Sequence, residues 1–225
     1  MTDMRKLPLL PGLLTVLLVS CAVASSAQTT FKPAEVASTS EILLPIQSIA
    51  DGIVVIDVSL DTKGVIDGMN VVRDIPSLTS AATSSIPSWK FSPASFQGYP
   101  APSVLRIAVV FRPRSYLAAG PVFTPVVSEG RPDHGRHSGG LPGITAAVYP
   151  QYPLNAVMPG TVVIQVTVGK SGAMEHTKLV RDVPPFSQFG LNALSRWRFQ
   201  APTVDGKPVR SNLTIAFVFA PLLTE

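Results

Sequence analysis

The 225-residue chain contains one cysteine, so no intramolecular disulfide framework can hold it. It is also poor in charge: Asp, Glu, Lys and Arg make up 14% of it, against about 25% in an average soluble chain. Long helical bundles and coiled coils need charged, proline-poor faces. With 22 prolines as well, this chain is not one of them. No block of Lys or Arg accompanies the net charge of +4, which excludes the basic patch of a nucleic-acid binder. There is no glycine-rich phosphate loop. Hydrophobic residues reach 46%, enough for a sizeable core.

The amino terminus sets the compartment. Arg5 and Lys6 precede an apolar run from Leu7 to Ala24, followed by Ser25, Ser26, Ala27 and Gln28. A short positive region, an apolar stretch and small residues at its end describe a secretory signal over residues 1–28. Three readings of its fate stay open. Leu18-Val19-Ser20-Cys21 resembles a bacterial lipobox, which would make Cys21 a lipid anchor. Cleavage after Ala24 or Ala27 would discard that cysteine. An uncut segment would remain as a membrane anchor, although Pro8 and Pro11 interrupt it and a span needs about 20 apolar residues.

The remainder is one unit written twice. At an offset of 108 residues, without a gap, Gly52–Phe111 aligns with Gly160–Phe219, and 20 of the 60 positions are identical. Arg73-Asp74 meets Arg181-Asp182, Trp89-Lys90-Phe91 meets Trp197-Arg198-Phe199, and Gly98 and Pro100 meet Gly206 and Pro208. Such self-similarity decides the domain count. It predicts two tandem domains, 41–113 and 144–225, joined by a Pro/Gly-rich linker, 114–143, and preceded by a polar lead-in, 29–40.

Each copy has the same grammar. Val162, Ile164, Val166 and Val168 alternate with Thr161, Val163, Gln165 and Thr167, the period of a half-buried strand. A glycine turn and a return strand follow, Ile66–Val72 in the first copy and Met174–Val180 in the second. A helix carries Phe186, Phe189, Ala193 and Trp197 on one stripe; in its first-copy counterpart Pro87 would break the last turn, so that helix should be shorter or bent. A last strand closes each copy. The expected fold is α+β: two small domains, each a three-stranded antiparallel sheet with one packed helix, in the order β-β-α-β.

Chemistry is scarce. The segment after the signal has no cysteine, and its histidines are His134, His137 and His176. The first two lie in the linker among glycines, where no helix would hold them at metal-ligand spacing. Asp74 and Asp182, each behind an arginine, read as turn-stabilising ion pairs or caps. These features predict no enzyme, no metal and no cofactor.

The second copy reads Gln151-Tyr152-Pro153, Gly160-Thr161-Val162, Gly172, Trp197-Arg198-Phe199, Asp205-Gly206-Lys207-Pro208 and Phe217-Val218-Phe219. Taken together these motifs resemble the carboxy-terminal domain of TonB, the periplasmic energy transducer of outer-membrane transporters. The first copy resembles it more weakly, with Leu44-Pro45 for Tyr152-Pro153. The resemblance implies a Gram-negative-type cell envelope, a periplasmic location and a protein partner: an extended segment of an outer-membrane transporter or another envelope protein, bound by strand addition. It implies a binding edge on the last strand, Leu213, Thr214, Ile215, Ala216, Phe217, Val218 and Phe219, with Gln151, Tyr152 and Pro153 beside the peptide. Arg106 on the last strand of the first copy would guard the corresponding edge by its charge. An energy transducer, however, carries a polar-faced membrane helix and a long spacer. Here Leu7–Ala27 holds no His, Asp or Glu, and the lead-in 29–40 extends over only ~40 Å. The pattern favours a binding module. The alternative is a lipid-anchored structural or self-assembling envelope protein, a homodimer among its forms.

Overall fold

A computed structural model describes residues 31–45, 48, 50–112, 121–122, 140–153, 158–204 and 206–220. In chain order, its strands before the first helix are β1 (Phe31–Lys32), β2 (Glu35–Ser38), β3 (Gly52–Leu60) and β4 (Ile66–Arg73). After α1 (Pro76–Ser85) come β5 (Lys90–Ser92), β6 (Ala94–Phe96), β7 (Tyr99–Ala101) and β8 (Ser103–Phe111). Then follow β9 (Pro121–Val122), β10 (Gly143–Val148), β11 (Gly160–Val168), β12 (Met174–Arg181) and α2 (Phe186–Leu194). The series ends with β13 (Arg198–Gln200), β14 (Thr203–Val204), β15 (Lys207–Pro208) and β16 (Ser211–Phe219). The α+β class and the β-β-α-β order within each copy are as expected. Pro87 lies in a 3-10 turn over Ile86–Ser88 that follows α1, but α1 is not the shorter helix: it has ten residues to nine in α2.

The copies do not form two separate sheets. They share one of six strands in the order β12-β11-β16-β8-β3-β4. All neighbours run antiparallel except the central pair, where β16 lies parallel to β8 from Leu213 opposite Arg106 to Val218 opposite Phe111. Arg112 extends this seam by donating its N–H to the carbonyl of Val218. The order is the same read from either end, and its centre is parallel. The two copies are therefore related by an approximate twofold axis along the strands, and such an axis exchanges the faces of the sheet.

Consequently the helices lie on opposite faces. Leu78, Ala82 and Trp89 of the α1 side share a core with Val54, Ile56, Val58, Ile107 and Val109. Phe186, Ala193, Leu194 and Trp197 of the α2 side share one with Val162, Ile164, Val166, Ile215 and Phe217. Each copy's other face is covered by the lead segment of its sister. Val36 and Ile42 are buried in the α1-side core with Val163, Ala216 and Val218 of the second copy. Ile144, Ala147 and Tyr149 are buried in the other core with Ile53, Val55, Ala108 and Val110 of the first.

This arrangement corrects two expectations. The lead-in is not a polar tether: it forms β1 and β2, which pair with β6 and β5. Nor are the first strands half-buried, for Thr161 and Gln165 are enclosed along with the valines between them. They can be polar because they bond to backbone laid across them. Gln165 Oε1 accepts the N–H of Val36 at 2.9 Å, and Thr161 Oγ1 accepts that of Ile42 at 3.0 Å. A buried peptide group left unpaired would cost about 1–3 kcal/mol.

Candidate strand-pairing edges

The strand expected to offer an open edge has none. Along β16, Leu213, Thr214, Ile215, Ala216, Phe217, Val218 and Phe219 are all buried. Their ladder is taken by β11 on one side and β8 on the other. The physical reason is duplication. Two equivalent edges on one chain meet at an effective concentration on the order of millimolar, and each satisfies the other's unpaired N–H and C=O groups.

Nor does the Gln151-Tyr152-Pro153 segment make one surface. Gln151 is exposed, whereas Tyr152 and Pro153 are buried. The Tyr152 ring stands edge-on to Phe186 at 5.8 Å and tilts against Phe219 at 6.3 Å. The Arg112 guanidinium lies 5.2 Å above its centroid. Arg112 is itself enclosed and donates Nε–H to the carbonyl of Pro150 at 2.8 Å. Burial lowers its pKa from the ordinary arginine value. Tyr152 is thus a wedge between α2 and the end of β16, not a rim for a peptide.

Arg106 does not guard an edge either. It is 3% exposed and reaches across to Asp57 on β3, Nε to Oδ1 at 2.7 Å and Nη2 to Oδ2 at 2.8 Å. Its Nη1 donates to the carbonyl of Pro142 at 3.2 Å. In the second copy Gln165 and Thr214 stand at the positions of Asp57 and Arg106. There Asn212 Nδ2 donates to the carbonyl of Ala34, the counterpart of Pro142. Both halves therefore satisfy the same carbonyl with different side chains. The paired change of Asp and Arg to Gln and Thr was the available signal for this contact. Tyr149, whose hydroxyl donates to Asp51 Oδ2 at 2.6 Å, ties the copies together in a second place. Burial first, and this hydrogen bond second, raise its pKa well above the ordinary tyrosine range.

Asp74 and Asp182 serve matching turns at the helix starts. Asp182 Oδ1 accepts from the Ser187 hydroxyl at 2.5 Å while Ser187 Oγ accepts the N–H of Val183; Asp74, Thr79 and Ile75 repeat the arrangement. His176 is exposed on β12. Among the described residues no three His, Cys, Asp or Glu side chains gather as metal ligands, and no helix is long and apolar enough to cross a membrane. The signal segment with Cys21, and His134 and His137 of the linker, lie outside the described residues, as does Asp205.

Among the described residues two long strands are paired on one side only. β4 has β3 as its neighbour and β12 has β11, so these are the outer edges of the six-stranded sheet. Their surfaces differ. β12 carries Glu175, His176 and Lys178, all exposed; Glu175 pairs with Arg210 and Lys178 with Glu35 at 3.2 Å. β4 has charges only towards its ends, Asp67 and Arg73, around Gly68-Met69-Asn70-Val71-Val72. These edges went unnoticed in the sequence because a return strand looks the same whether or not a further strand follows it.

A search of the curated proteins finds no match to the chain. Residues 145–221, from β10 past the end of β16, match the family described as the Gram-negative bacterial TonB protein C-terminal. The carboxy-terminal repeat of this chain is thus similar to the TonB C-terminal family.

Proposed function

We propose that the chain is a non-catalytic protein-interaction module of the bacterial envelope, exported on residues 1–28, which adds an extended segment of another envelope protein to the β12 edge of its sheet. One observation carries the reading: β12 is an eight-residue strand of the family-matching half, and among the described residues one side of its ladder is open. An incoming strand completes such a ladder through main-chain hydrogen bonds, and the side chains along it decide which strand is accepted. Glu175, His176 and Lys178 give the edge a polar pattern to match, and their charge discourages indiscriminate pairing. With β16 engaged by β8, the acceptor expected at Leu213–Phe219 moves to this strand.

The test is site-specific photo-crosslinking in cells. A photoreactive residue at Thr177, exposed on β12, should form an adduct with a second envelope polypeptide. One at Gln188, exposed on α2, should not. In the complex, amides of β12 should exchange more slowly than in the free protein. Equal adducts at both positions, or a partner that leaves β12 exchange unchanged, would refute the reading.

A further inference from the structure

The opposite edge has a different character. We propose that β4 pairs with β4 of a second copy of this chain, antiparallel about Asn70, so that two sheets run on as one. This goes beyond the β12 reading and does not depend on it.

The β4 sequence is complementary to itself in that register. With Asn70 opposite Asn70, Met69 faces Val71, Gly68 faces Val72, and Asp67 comes opposite Arg73, each pair occurring twice. No like charges meet. The central run is regular strand: Gly68, Met69, Asn70 and Val71 pair in step with Ser59, Val58, Asp57 and Ile56 on β3, and the register shifts fall on either side of it, at Asp67 and at Val72. Cross-strand partners share a face, so Met69 and Val71, opposite Val58 and Ile56, both point to the α1 side.

A twofold axis perpendicular to the sheet preserves faces. It would set Met69 of one copy against Val71 of the other on that side. These residues lack cover in the single chain: Met69 is 39% exposed, Val71 38% and Val72 37%. A side chain at Gly68 would meet nothing within 4 Å, so that position is open to an approaching strand.

β12 fails the same comparison. Antiparallel pairing that brings Glu175 opposite Arg181 centres on Lys178 and sets lysine against lysine. Like charges directly opposite are destabilising. Long edges without lysine, proline or cover are the ones that pair with other chains. A peptide from a different protein could use the same groups on β4, but the self-complementary register favours a second copy.

The full chain tests this, carrying Cys21→Ser so that an introduced thiol is the only one. Across the proposed axis the two Asn70 Cα atoms would lie about 4.5–5.5 Å apart. Asn70→Cys should therefore be joined between copies by a short bismaleimide, and Lys178→Cys should not. By sedimentation equilibrium the parent should show twice the monomer mass. Val71→Lys, a change at an exposed position, should return it to monomer with an unchanged circular dichroism spectrum. A parent that stays monomeric overturns the proposal. So does a dimer indifferent to Val71→Lys, or an Asn70→Cys adduct formed with a different protein in place of a second copy.

Discussion

Arg106→Thr would place at that position the residue found in the second copy, while leaving the Asp57 carboxylate in the first. The native guanidinium is 4% exposed and the carboxylate 14%, and they meet through two parallel hydrogen bonds of 2.7 and 2.8 Å. Removing one partner of a buried ion pair strands the other charge, at a cost of about 3–5 kcal/mol. The carbonyl of Pro142 loses its donor as well. For a chain of this size each kcal/mol moves the melting temperature by roughly 2–4 °C, so a fall of about 6–20 °C is expected. The double variant Asp57→Gln/Arg106→Thr carries the whole second-copy pair. It removes both charges together and so should recover at least about 2 kcal/mol of that loss. Urea denaturation of the parent, both singles and the double closes the cycle. Single variants costing less than about 1 kcal/mol, or a double no better than Arg106→Thr, would refute the reading of this pair as a buried, mutually dependent contact.

Two further outcomes follow from the turns and from Tyr149. Gly64 has φ of +80°, and a Cβ there would lie 2.5 Å from the carbonyl oxygen of Phe91; Gly98 has φ of +85° but open space around it. Gly98→Ala should cost about 1–2 kcal/mol from backbone conformation alone. Gly64→Ala should cost clearly more in urea denaturation, because the hairpin must also move away from the Trp-Lys-Phe segment. Tyr149 keeps its proton in the folded protein to higher pH than in the unfolded chain. Its contribution is therefore complete below the unfolded value of about 10 and is lost as pH rises beyond it. Melting temperatures above about pH 10 should fall more steeply for the parent than for Tyr149→Phe, which gives up the Asp51 bond but has no phenol to ionise.

Much of the local structure was legible from residue patterns. The glycine turns at Gly64 and Gly172, the helix stripe through Phe186 and Ala193 and the break at Pro87 each depend on neighbours a few positions away. The buried polar residues were less legible. Thr161 and Gln165 alternate with valines just as solvent-facing residues do, and only the backbone of Ile42 and Val36 lying over them shows why they are enclosed. The lead-in 29–40 read as a polar tether for the same reason. Val36 alone gives little signal until the core that it joins is known.

Periodicity, turn chemistry and the duplicated motifs were enough to read two copies of a β-β-α-β unit and the family resemblance of the second. They could not say which edges those units would leave open. An edge is a property of the assembled sheet: whether the groups of Leu213–Phe219 remain unpaired depends on where the other copy lies. Tertiary pairing placed β8 against β16, buried that strand and left β4 and β12 outside, because two equivalent edges on one chain satisfy each other before any third strand arrives.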